Sequence, residues 1–66
     1  MNDTCTAIED AHRIFTNYKF GDIRVVAHRL EQIIHGDIIN PHLCTYTRRF
    51  YIEVLRILED RMALNT

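Results

Sequence analysis

Four histidines, His12, His28, His35 and His42, and two cysteines, Cys5 and Cys44, are the side chains of this 66-residue chain best suited to hold a metal, attack a substrate or sense a proton. Zinc needs three or four nitrogen, sulfur or carboxylate ligands that converge. The nearest local groupings are His42-x-Cys44, His35-x-Asp37 and His28-x-x-Glu31, none of them a recognised metal spacing. His28 and His35 share one helical face but lie seven residues apart, too far for one ion, so all four histidines read as solvated helix surface and no metal or other cofactor is expected. Protonating them would carry the net charge from −1 to about +3. Used as proton sensors, they would shift association between about pH 5 and 7, and sedimentation velocity giving one mass at both ends of that window would refute such a role.

Nucleophilic catalysis would require a cysteine or hydroxyl beside a base and an orienting group in a site closed to water. Cys44 and His42 are two apart and point to different sides of a helix, and a chain this short builds no deep cleft. The only glycines, Gly21 and Gly36, fit helix ends rather than a phosphate loop. No catalytic residue is assigned and a non-enzymatic role is expected. The cysteines read as two free thiols of a reducing cytoplasm, with a single bridge left open, because disulfide scaffolds of this size carry several bridges. The first residues, Met1-Asn2-Asp3-Thr4, lack a basic region followed by an apolar run, and no apolar stretch is long enough to cross a bilayer, so the expected protein is cytoplasmic, without membrane contact.

Charge gives no bulk drive toward nucleic acid. Eight Lys plus Arg face nine Asp plus Glu, and neither end of the chain forms a basic tail or an acidic arm. Seven of the eight cations are arginine, the residue whose planar head pairs with carboxylates and stacks on rings at interfaces.

The elements that position these residues are helical. Thr6-Ala7-Ile8-Glu9 fits a capping box, and Ile8, Ala11, Phe15 and Tyr18 recur on one face, with Ile14 beside it, which predicts a first helix over about 6–19. Asp22 is a good N-cap for a second helix over about 22–35, whose stripe is Ile23, Val26, Ala27, Leu30, Ile33 and Ile34 and whose stop is Gly36. Asp37-Ile38-Ile39-Asn40 then reads as a connector whose isoleucines plug the core. Asn40 followed by Pro41 is a start signal for a third helix over about 41–63, roughly 35 Å long. Pairs at i,i+4 are expected between Arg49 and Glu53 and between Arg56 and Asp60.

That third helix carries two apolar stripes, Leu43, Thr47, Phe50, Val54, Ile57 and Leu64, and Cys44, Tyr51, Leu55, Leu58 and Met62, together wider than one small partner covers. One stripe is expected to face the intramolecular core and the other a second chain. The expected core is Ile8, Phe15, Val26, Leu30, Ile33, Val54 and Leu58; the expected homodimer interface draws on Phe50, Tyr51, Val54, Leu55, Leu58 and Met62. A DNA-binding alternative rests on the first two helices imitating a helix-turn-helix, with Arg24, His28 and Arg29 facing outward and Arg48, Arg49, Arg56 and Arg61 as a basic line. Glu53, Glu59 and Asp60 interrupt that line.

The order of a short first helix, a second amphipathic helix ending Leu30-Glu31, a polar break and a helix around Phe50-Tyr51-Ile52-Glu53-Val54-Leu55-Arg56-Ile57-Leu58-Glu59 resembles the AriR/YmgB group of small bacterial regulators. The similarity covers most of residues 8 to 60 and rests on hydrophobic order rather than on a diagnostic motif. It implies a dimeric helical regulator tied to stress, acid resistance or biofilm signalling that acts through protein contacts or DNA, and it carries over no functional residues. The expectation is one all-α domain over residues 1–66, a small adaptor or regulator that forms a homodimer and binds a protein partner, with a dimeric DNA-binding transcriptional regulator as the alternative.

Overall fold

The computed structural model describes residues 3–16, 19 and 21–64. They form three helices, α1 (Asp3–Phe15), α2 (Ile23–Ile39) and α3 (Thr45–Leu64), and no strand occurs among the described residues. The all-α expectation therefore holds, while the bounds of each of the three helices move.

The first helix starts three residues before the proposed capping box, so Thr6 lies inside it. Asp3 places a carboxylate in the first turn, where the exposed amides favour negative charge. Ala7 is fully buried four residues before the equally buried Ala11, so the packed stripe begins at Ala7, one residue before Ile8. At the other end α1 stops at Phe15, because Thr16 closes it: its amide donates to the His12 carbonyl at 3.0 Å and its hydroxyl donates to the same oxygen. Tyr18, placed on the apolar face by its spacing, lies outside the described residues.

Asp22 caps α2 as its position predicts, its carboxylate accepting from the Arg24 amide at 3.0 Å. The helix does not stop at Gly36; it runs on to Ile39, where the Asn40 amide donates back to the Gly36 carbonyl at 2.9 Å. Asn40 thus closes α2 rather than opening α3, and Pro41 sits in the connecting loop. Continuing the helix puts Asp37 on the core-facing stripe, seven residues after Leu30, and rotates Ile38 and Ile39 outward. Both isoleucines are 71% exposed instead of plugging the core. The third helix begins at Thr45, after Cys44, whose carbonyl accepts the Arg48 amide at 3.0 Å.

Both α1 and α2 pack on α3, whereas among the described residues the backbones of α1 and α2 do not meet. The shared core is Ala11, Ala27, Leu30, Val54 and Leu58. Alanine at the contact points lets helix axes approach closely, which is why small residues outrank several larger ones that the periodicity favoured. Of the expected core, Leu30, Val54 and Leu58 are buried, Phe15 and Val26 pack against them, and Ile8 and Ile33 are half-buried. The molecule measures 33 × 27 × 16 Å, so its thinnest direction is little more than one helix diameter.

Candidate functional site

Because α3 is the helix that both others touch, the three-helix arrangement divides its surface into two flanks. The first takes α1. Tyr46 donates its hydroxyl to Asp10, and His12 Nε2 lies 2.8 Å from Glu53 Oε1. Arg61 donates through Nη2 to the Phe15 carbonyl at 2.6 Å and to the Thr16 carbonyl at 3.3 Å, supplying a cation and donors to the C-terminal end of α1, where unpaired carbonyls collect. The Phe15 and Phe50 rings meet at 5.9 Å with a 59° tilt, and Tyr46 stacks on Phe50 at 6.0 Å. The rising order of partners, Asp10 with Tyr46, His12 with Glu53 and Phe15 with Arg61, shows that α1 and α3 run in the same direction. The hydrogen bond to Asp10 comes first among the causes that raise the Tyr46 pKa, followed by burial, since the carboxylate favours a protonated phenol.

The second flank lies against α2, and a buried carboxylate ties its first turn to the loop. Asp37 is 1% exposed. Its Oδ1 accepts the amides of His42 at 2.8 Å and Leu43 at 2.9 Å, while Oδ2 accepts from Arg48 Nε. Arg48 also donates through Nη2 to the Leu43 carbonyl at 3.1 Å. The two loop amides, with Arg48 beside them, hold the Asp37 pKa well below the usual carboxylate range, the backbone donors acting most strongly. His42 completes the corner, its Nδ1 3.1 Å from the Asn40 carbonyl and 3.6 Å from Asp37 Oδ1. In this way Asp37 supplies an acceptor to two loop amides that precede α3.

At the head of α3 the exposed Cys44 thiol lies 3.1 Å from the Thr47 hydroxyl. Donation by the Thr47 side chain and then its amide lowers the thiol pKa. Cys5 is also exposed and free. No three His, Cys, Asp or Glu side chains converge as metal ligands would among the described residues.

The residues expected at an interface separate cleanly. Val54 and Leu58 are 2% and 0% exposed, so the intramolecular core consumes them and they have no surface to offer a second chain. Phe50 is half-buried and engaged with Phe15, Tyr46 and Tyr51. Tyr51, Leu55 and Met62 are half-buried like Phe50 and pack against the core. The arginines expected at nucleic acid divide as well. Arg24, Arg29 and Arg49 are exposed, but Arg48 is bound to Asp37 and Arg61 to the end of α1. Arg56 reaches Glu53 at 3.7 Å, an i,i+3 pair in place of the expected i,i+4 pair with Asp60, and Glu53 faces His12. A helix-turn-helix needs its two helices packed on one another, and the backbones of α1 and α2 do not meet.

Asp37, Tyr46 and Arg61 were not singled out by sequence reasoning as residues that join helices. Their partners are 11, 36 and 46 residues away in the chain, beyond the reach of any local spacing rule. No family model matches the chain, and neither a curated protein nor a solved structure matches it.

Proposed function

We propose that the chain is a small non-enzymatic adaptor or regulator that works by helix-mediated association, with itself and with a protein partner, through the apolar side chains of α3 that α1 and α2 leave partly uncovered. The observation that carries this reading is apolar surface left partly uncovered: Tyr51, Leu55 and Met62 lie in line along α3, half-buried against the core and not closed over by it. Two global quantities agree with it. The accessible surface is 5022 Å², whereas a compact monomer of this mass presents roughly 4,400 Å². The radius of gyration is 12.1 Å, against about 10.8 Å for a compact chain of this length. Surplus of that kind is what a partner removes from water, at about 25 cal/mol per Å² of apolar area. The resemblance to the AriR/YmgB regulators adds stress or biofilm signalling as the setting for such an adaptor. Among the described residues, no helix is long and apolar enough to cross a membrane.

Leu55→Asp is the decisive variant, because Leu55 is only half-buried and its replacement leaves Val54 and Leu58 in place. Sedimentation equilibrium of the native sequence should show association at tens of micromolar, and the variant should be monomeric with unchanged helicity. A variant that stays dimeric, helical and equally stable rules out this surface. Duplex DNA binding that weakens steeply with salt, in place of self-association, would favour the DNA-binding regulator, for which the exposed Arg24, Arg29 and Arg49 are the available cations.

A further inference from the structure

We propose that the outward face of α2 is a docking site for an acidic amphipathic helix of a partner protein. The site lies on a different helix from the α3 side chains to which self-association is assigned, so either can fail without the other.

A second helical repeat runs along the side of α2 that the fold does not use. Val25, Arg29, Gln32, Gly36 and Ile39 follow one another at steps of four, three, four and three residues, and all five are exposed. That spacing makes a seam about 21 Å long, the pattern on which another helix packs. Apolar side chains stand at both ends of it: Val25 is 61% exposed, and Ile39, with Ile38 beside it, is 71% exposed. Of the five large apolar side chains exposed among the described residues, three therefore lie on this one face. Gly36 is an independent observation. It sits inside α2 without a positive φ, and nothing among the described residues comes within 4 Å of where its Cβ would be. Glycine is the poorest helix former after proline, so neither the backbone nor the packing of this chain calls for one at position 36. What it leaves is a notch of bare backbone on the seam, one step before Ile39, where a second helix can approach closely.

Charge selects the occupant. Arg24 and Arg29 are exposed on this face together with His28 and His35, and Glu31 is the only exposed carboxylate of α2, since Asp37 is buried. A second copy of the same face would bring two more arginines and two more histidines against these, with one more glutamate to offset them. Glutamates along the edges of a partner helix would instead pair with Arg24 and Arg29 while its apolar seam covers Val25 and Ile39. Phosphates would also satisfy the arginines, but they would leave the apolar ends of the seam and the Gly36 notch without a counterpart.

The probe is a fluorescein-labelled synthetic helix of three heptads, with leucine and alanine along its seam and glutamate on both edges, titrated into the full chain and followed by anisotropy. A version with lysine in place of the glutamates is its control. The acidic helix should bind the native chain at least ~10-fold more tightly than the lysine helix. Gly36→Gln should weaken that binding at least ~10-fold by filling the notch. Its thermal midpoint should be no lower than that of the native chain, because a better helix former enters open space. Arg24→Glu combined with Arg29→Glu should reverse the preference between the two helices, and Leu55→Asp should leave binding unchanged. No binding of the acidic helix, or equal binding by the native chain and Gly36→Gln, overturns the site. Two further outcomes overturn it by naming another occupant: loss of self-association in Gly36→Gln assigns the face to a second copy, and binding of duplex DNA in place of the acidic helix assigns it to nucleic acid. If the acidic helix does not bind while Leu55→Asp abolishes self-association, the α3 reading stands and the α2 site fails.

Discussion

Asp37→Ala is expected to lower the thermal midpoint by more than about 10 °C, the largest effect of any polar substitution in the chain. The substitution strands two loop amides and the Arg48 guanidinium in a corner where they had one shared acceptor. Asp37→Asn should fall between alanine and the native residue. Its oxygen still accepts from His42 and Leu43, but its amide then points a donor at a donor, Arg48 Nε. Arg48→Met should be milder than either, because the loop amides keep their acceptor and the Arg48 side chain is 36% exposed. The pH dependence has a definite sign. The carboxylate is more acidic folded than unfolded, so its contribution is present above the ordinary carboxylate pKa near 4 and is lost as pH falls below it. Thermal melts followed by circular dichroism at pH 7 and pH 3 should show the native chain losing more stability on acidification than Asp37→Ala does. Equal losses would mean that Asp37 is not the acid-sensitive fastening of the loop.

Leu58→Ala should be as damaging through a different cause. Leu58 is the largest fully buried apolar side chain and lies where all three helices share a core. Truncating such a residue costs about 3 kcal/mol, the transfer term plus the cavity left behind. Folded domains hold about 0.05–0.15 kcal/mol per residue, which for 66 residues is roughly 3–10 kcal/mol, so the variant should be largely unfolded or close to it at 37 °C. Leu58→Met, which nearly conserves volume, should cost less than about 1.5 kcal/mol. Urea unfolding of the three proteins gives the comparison directly. A native-like midpoint for Leu58→Ala would mean that the α1 side of the core is already loosely filled.

The structure shows how much of this was legible beforehand. Three helices follow from periodicity because each buries one stripe, and repeats at three and four residues are visible in any window. Asp22 was readable as a cap for the same reason, since its partner is two residues away. The Asn40-Pro41 pair misled because a start signal reports only what the local backbone tolerates. In the fold Asn40 closes α2, Asp37 accepts the amides of His42 and Leu43 in the loop, and α3 begins at Thr45. The glycine at position 36 misled in the same way: it permits a stop, but burial of Asp37 one residue on rewards continuing.

The candidate surface divides along the same line. That α3 carries more apolar width than one neighbour needs was written in its two stripes. Which members of the stripes remain available was not, because the answer depends on where α1 and α2 lie around α3. Val54 and Leu58 went to the core, Phe50 went to the seat of α1, and Tyr51, Leu55 and Met62 kept surface. By itself, then, the sequence determined three amphipathic helices and a surplus of apolar face, both properties of neighbouring residues. Only the tertiary structure decided the lock at Asp37, the clasps at Tyr46 and Arg61 and the side chains of α3 left partly uncovered, because each depends on groups brought together across the chain.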